Sequence, residues 1–153
     1  MSQKQWGNIT WLLFHSLAES VNKDSFNEAK PLILQFIHNT CANLPCPVCS
    51  EHAKSTLSKS FMNDISTKAD LIEFLRQFHN IVNLETSKPV LDKESVIKMY
   101  KGAKLNEIIN LFIKVYSVYY RNFNVSAMVR SNNRSVFVKY SKNLLEQISK
   151  YCY

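Results

Sequence analysis

Two glycines in 153 residues, Gly7 and Gly102, leave this chain little access to backbone geometries that glycine alone adopts freely. A P-loop needs a glycine-rich phosphate cradle, and a dinucleotide fold needs three closely spaced glycines, so both are excluded. With only four prolines as well, the chain lacks the turn chemistry of a β-sandwich or barrel, and an all-α fold is expected. Hydrophobic residues make up 46% and charged residues 20%, a globular composition rather than a disordered one. The length suits one domain with a modest tail.

The net charge of +7 is not spread evenly. Residues 1–100 hold ten Lys/Arg and ten Asp/Glu, whereas residues 101–153 hold nine Lys/Arg and two Asp/Glu. The basic character therefore belongs to the C-terminal third, and a diffuse electrostatic role would lie there. Nucleic-acid binding does not explain the first hundred residues. The N-terminal stretch has no apolar signal-peptide core, and no apolar run reaches transmembrane length, so a cytoplasmic protein without a membrane segment is expected.

Apolar periodicity places helices in order along the chain. The first spans Trp6 to about Val21, with Phe14, Leu17 and Ala18 on its apolar side. Ser25 and Glu28 have capping-box spacing and open a second helix through Ile33, Phe36 and Thr40. Leu44-Pro45-Cys46-Pro47 breaks it, and a third helix starts at Pro47 and runs to about Lys59. Thr67 and Asp70 start a fourth, which buries Leu71, Phe74, Leu75, Phe78, Ile81 and Val82 and stops before Lys88-Pro89. Asp92 caps a short fifth helix that ends at Gly102. Beyond it, Leu105, Ile109, Phe112, Tyr116 and Tyr119 make a strong amphipathic helix. Residues 122–134 read as a polar loop, and Val136–Tyr151 as a last helix. The boundary falls near Gly102: a core over residues 1–102 and a basic helical extension over 103–153.

Four cysteines are too few for a disulfide scaffold. Cys46-Pro47-Val48-Cys49 has the spacing of a dithiol that closes on itself at a helix start. The helix dipole and free N–H groups there favour a thiolate, the form needed for thiol–disulfide exchange. Half a zinc site is the rival reading. It needs two more ligands, and Cys41 and His52 are the ones at hand. A thioredoxin motif is rejected, because helices rather than a βαβ unit flank the pair. Polar residues recur on apolar helices: Trp11 and His15 four apart on one, His79 and Asn83 four apart on another with Asn80 beside them. Such groups are costly to bury without partners, and together they point to a ring-shaped cofactor.

Trp6-Gly7-x-x-Thr10-Trp11-x-x-x-His15, then Leu44-Pro45-Cys46-x-x-Cys49-x-x-His52-Ala53, then His79-Asn80-x-Val82-Asn83 and Lys88-Pro89, closely resembles the Erv/ALR family of FAD-linked sulfhydryl oxidases. The resemblance spans about residues 5–100. Its wording is most similar to the short forms encoded by large cytoplasmic DNA viruses. It implies a four-helix bundle with a short fifth helix that holds FAD without a Rossmann fold. In that pattern Cys49 lies against the flavin and Cys46 meets the incoming dithiol. Gly7, Thr10, Trp11 and His15 line the cofactor from the first helix. His52, His79, Asn80, Val82 and Asn83 complete the pocket, Lys88 approaches the phosphates, and Tyr100 covers the adenine.

The same resemblance implies oxidation of a thioredoxin-like or other dithiol protein, O2 as acceptor with H2O2 as product, and a homodimer. The chain departs from the pattern in lacking a late Cys pair in residues 60–100, so packing and FAD must hold the fifth helix. Only Cys41, expected as a buried thiol, and Cys152 remain, which is no shuttle dithiol. The alternatives of other classes are a non-catalytic basic helical adaptor and a zinc-binding module.

Overall fold

The computed structural model of the chain describes residues 3–59, 64–120 and 128–153. Seven α-helices carry it: α1 (Gln3–Ser20), α2 (Phe26–Ala42), α3 (Pro47–Ser58), α4 (Lys68–Glu85), α5 (Lys93–Tyr100), α6 (Leu105–Tyr120) and α7 (Met128–Ser149). Among the described residues there is no strand, only one antiparallel bridge between Val21 and Cys152. The all-α expectation holds.

Local chemistry sets several of the helix ends. Thr67 and Asp70 form a complete capping box at α4: Asp70 N donates to Thr67 Oγ1 at 3.1 Å and Thr67 N to Asp70 Oδ2 at 2.9 Å. Asp92 caps α5 by accepting from Ser95 N at 2.7 Å. Gly102 follows α5 with φ +78°, the left-handed conformation that a helix C-terminus gives to glycine.

Three expectations are corrected. Ser25 makes no side-chain cap, because a 3-10 turn over Lys23–Ser25 precedes α2 and leaves Ser25 at φ −105°, ψ 13° instead of the extended geometry a cap needs. Asn22 caps that turn instead, accepting from Asp24 N. Residues 128–134, expected as loop, are the first turns of α7; a polar sequence does not itself bar a helix. Residues 122–127 and the Tyr119 side chain lie outside the described part. Ile81, expected in the core, is 40% exposed beside a groove between α3 and α4.

One apolar core draws on every described helix except α5. Helix α1 packs against α4, α5 and α6, while α2 packs against α3 and α7. From α6, Phe112 and Tyr116 are fully buried among residues of α1 and α2, with the Phe112 and Phe36 rings 5.6 Å apart. The C-terminus is fastened to the end of α1: Asn22 N donates to Tyr151 O at 2.7 Å and Tyr153 N to Ser20 O at 2.9 Å.

Candidate functional site

The break between α2 and α3 builds the cysteine site. Pro47 occupies the first turn of α3, where its missing N–H costs nothing, and Cys46 stands at the N-cap in an extended conformation. Cys46 Sγ accepts a hydrogen bond from Cys49 N at 3.2 Å. Ser50 locks the approach by accepting from Leu44 N at 2.9 Å while its own N donates to Cys46 O. Cys46 and Cys49 are joined in a disulfide with their Cα atoms 5.1 Å apart. No acidic residue occupies the first turn of α3, so nothing there opposes the positive end of the helix.

Behind the disulfide lies a cavity of about 890 Å³ between α1, α3 and α4. That volume is near the top of the range for small-molecule pockets, roughly 300–1,000 Å³. Cys49 lines it and Cys46, half-buried like Cys49, does not. Gly7, Thr10 and Trp11 line it from α1, His52 from α3, and His79, Val82, Asn83 and Lys88 from α4 and the turn after it.

His15, Asn80 and Tyr100 stand behind this lining. His15 Nε2 lies 2.9 Å from His79 Nδ1, with one imidazole donating to the other. Tyr100 stacks on His15 with ring centroids 4.5 Å apart and planes 11° apart. Asn80 holds the loop before α5: its Nδ2 donates to Leu91 O at 2.8 Å, and Leu91 N donates to its Oδ1 at 2.7 Å.

The cavity suits a large, flat, anionic group. A Cβ added at Gly7 would meet no protein atom within 4 Å, so this wall is clear of the protein's own packing. Trp11 and His79 stack on each other, centroids 4.0 Å apart and planes 7° apart, and this aromatic pair lines the cavity. Asn83 is 5% exposed, and its amide reaches Asn80 Oδ1 only at 3.5 Å, which leaves hydrogen-bonding capacity beside the cavity. Lys4 and Lys88 supply the cationic lining. Glu85, the one acid among its described lining residues, is paired with His52 at 3.0 Å. Lys4 and Glu85 were not anticipated, because a lone charge near a helix end carries no spacing signal.

Burial and its neighbours hold the two histidines neutral. Desolvation, with His79 alongside, takes His15 from the usual 6.5 to about 3; desolvation, with the Lys88 charge, takes His79 to about 4. In the unfolded chain both take up protons near pH 6.5, so the folded state binds fewer protons below that point. The stability they contribute is complete above about pH 6.5 and is lost as pH falls towards 4. Glu73 titrates lower, taken to about 2 by its hydrogen bond to Arg76. Thermal melts stepped down from neutral pH should therefore show Tm falling well before Glu73 protonates. A flat profile over that interval would mean the imidazoles are already charged in the fold.

Cys41 is buried on the same cavity, and burial pushes its thiol up to about 12. Cys152 is pushed up to about 11 by burial and donates to Ile148 O at 3.5 Å. Neither is poised as a thiolate. Among the described residues no group of three or more His, Cys, Asp or Glu is arranged around a metal position, and no helix is long and apolar enough to cross a membrane.

The model of the Erv1 / Alr family matches residues 8–101. A protein of Invertebrate iridescent virus 3, provisionally named an FAD-linked sulfhydryl oxidase, is 30% identical over 99 residues, 64% of this chain and 67% of that protein. The FAD-linked sulfhydryl oxidase of African swine fever virus is 28% identical over 103 residues, 67% of this chain and 86% of its own. A protein of Acanthamoeba polyphaga mimivirus, provisionally named in the same way, is 28% identical over 100 residues, 64% of this chain and 70% of that one.

Proposed function

The chain belongs to the Erv1/Alr family and is an FAD-linked sulfhydryl oxidase, and from that premise we propose that Cys46–Cys49 is its exchange centre and the cavity behind it the flavin seat. The observation that carries this reading is the disulfide's placement: Cys49 lines the cavity and Cys46 does not.

A substrate thiolate attacks Cys46 Sγ. The Cys46–Cys49 bond breaks, a mixed disulfide forms on Cys46, and Cys49 departs as a thiolate at the N-terminus of α3. The second substrate thiol then attacks the substrate sulfur of that mixed disulfide. Cys46 departs with the electron pair, and the Cys49 N–H that points at its sulfur stabilises it as a leaving group. The substrate is now a disulfide and the two cysteines are a dithiol. FAD, when bound, supplies the two-electron acceptor and passes the pair to O2, giving H2O2.

The rest of the seat binds and orients. The Trp11–His79 pair receives a flat ring, Asn83 offers its amide, and Lys88 with Lys4 offsets phosphate charge. Thr10 is held in place by donating to Trp6 O at 2.6 Å and pairing with the Tyr116 hydroxyl at 2.7 Å. His15 and Tyr100 back His79, and Asn80 ties α5 to α4 through Leu91. His52 and Glu85 bridge α3 to α4 beside the cavity.

The finer assignments extend this reading. Residues 1–102 form the oxidase unit and 103–153 a basic extension that packs on it. The substrate is a thioredoxin-like or similar dithiol protein, met in the cytoplasm of a host cell or in a virion. A homodimer would form on surface that α6 and α7 leave open, since α6 already lies along α1.

The purified protein should be yellow, its flavin band bleaching with dithiothreitol under nitrogen and returning in air; a colourless, inert protein would overturn the reading. His79→Ala and Asn83→Ala should each lower the flavin-to-protein ratio and Tm together. A tenfold loss of affinity removes about 1.4 kcal/mol of ligand stabilisation, or about 3–6 °C in Tm for a chain of this size. Unchanged flavin content in both variants would make these residues ordinary core polars.

A further inference from the structure

Val48 lies between the two cysteines and is 79% exposed, more than any other large apolar side chain among the described residues except the C-terminal Tyr153. The fold gives no reason for it. A β-branched residue is a mediocre helix former, and a first helical turn gains from an acidic residue, yet none occupies this one. Pro47 beside it is also exposed. From Leu44 to Ser50 the chain carries no charge, and the next charged residue, Glu51, is paired with Lys54 at 2.8 Å. Any protein that brings a thiolate to Cys46 therefore meets an uncharged stretch of chain with Val48 on it.

We propose that Val48 is the specificity contact for the protein substrate: it is covered by apolar surface flanking the substrate's dithiol, so the substrate class is a dithiol set among uncharged, apolar residues of a protein. This rests on the oxidase reading above and deepens it. A small dithiol has no flanking surface and gains nothing from Val48. The residue touches neither the cavity nor the core, so changing it leaves the flavin seat and the fold intact.

The test compares Val48→Asp, Val48→Lys and Val48→Ala with the unaltered full-length protein. Two substrates are used, dithiothreitol and reduced thioredoxin, after flavin content and Tm have been matched. With thioredoxin, kcat/KM should fall about tenfold for both Asp and Lys and by less for Ala, the order expected when one apolar contact is lost at an interface. With dithiothreitol, Val48→Ala should stay within about twofold, since no contact is removed, and any change in Val48→Asp or Val48→Lys measures the field of the new charge at the sulfurs, so the loss with thioredoxin is read relative to it. Opposite effects of Asp and Lys would show that Val48 acts only through the field at the sulfurs, and would overturn the proposal. An equal loss with both substrates would place its effect on the exchange centre and overturn it too, as would unchanged thioredoxin kinetics. Failure of the unaltered, flavin-loaded protein to oxidise dithiothreitol would instead overturn the oxidase reading itself.

Discussion

Replacing Cys46 or Cys49 by serine should abolish dithiol oxidation while flavin stays bound and Tm shifts little. Each sulfur is one half of a single exchange centre, and one thiol cannot accept an electron pair by forming an internal disulfide. The loss should therefore be complete within the sensitivity of an oxygen electrode. The disulfide closes a loop of only a few residues, so its chain-entropy contribution is small next to that of a long-range crosslink. The two variants should differ in trapping. With Cys49 removed, Cys46 can still attack an activated thiol reagent from solvent and hold it. With Cys46 removed, Cys49 on the cavity wall should react slowly while flavin fills the cavity. Equal labelling rates, or residual turnover in either variant, would break the assignment of Cys46 to the substrate and Cys49 to the cavity.

That assignment was legible in the sequence only through family resemblance. The spacing of Cys46 and Cys49 and the proline between them announce a helix start with a dithiol on it, but not which sulfur faces a cofactor. That depends on where α1 and α4 pack, far along the chain. The same limit governs the polar residues. Trp11 and His15 are visibly four apart on α1. The contact that matters for His15, however, is His79, a residue on another helix that no local period reveals. Asn80 reads as a buried polar group in search of a ligand, yet both its amide oxygen and its amide nitrogen bind the backbone of Leu91. Capping was legible where the side chain alone sets the geometry, as at Thr67 and Asp92. It was misleading at Ser25, where a preceding turn decides the backbone angles. The apolar face of α6 was plain from its period, but periodicity does not say what covers it.

What covers that face decides the fate of a chain cut after Gly102. The family match ends at residue 101, so α6 and α7 lie beyond the part of the chain that the family model covers. In the fold they are not peripheral. Phe112 and Tyr116 are fully buried, Phe137, Leu145 and Ile148 are buried beyond them, and Tyr116 reaches Thr10 on the cavity wall. Removing residues 103–153 would strip α1 and α2 of this cover and expose a contiguous apolar surface of the kind that drives aggregation. The truncated chain should therefore accumulate in the insoluble fraction, and what stays in solution should hold less flavin. A graded version keeps the idea testable if truncation prevents folding. Phe112→Ala leaves the chain complete and removes one aromatic side chain from the core, at a cost of about 3–5 kcal/mol. At roughly 2–4 °C per kcal/mol for a chain of this length, Tm should fall by about 6–20 °C. Tyr116→Phe keeps the packing and removes one hydroxyl, and should cost only about 1 kcal/mol because Thr10 still donates to Trp6 O. The expected order is truncation, then Phe112→Ala, then Tyr116→Phe, in both stability and flavin retention. A truncated chain that stays in solution, is yellow and melts like the full-length protein would show that residues 1–102 stand alone and that the basic helices serve something outside the fold.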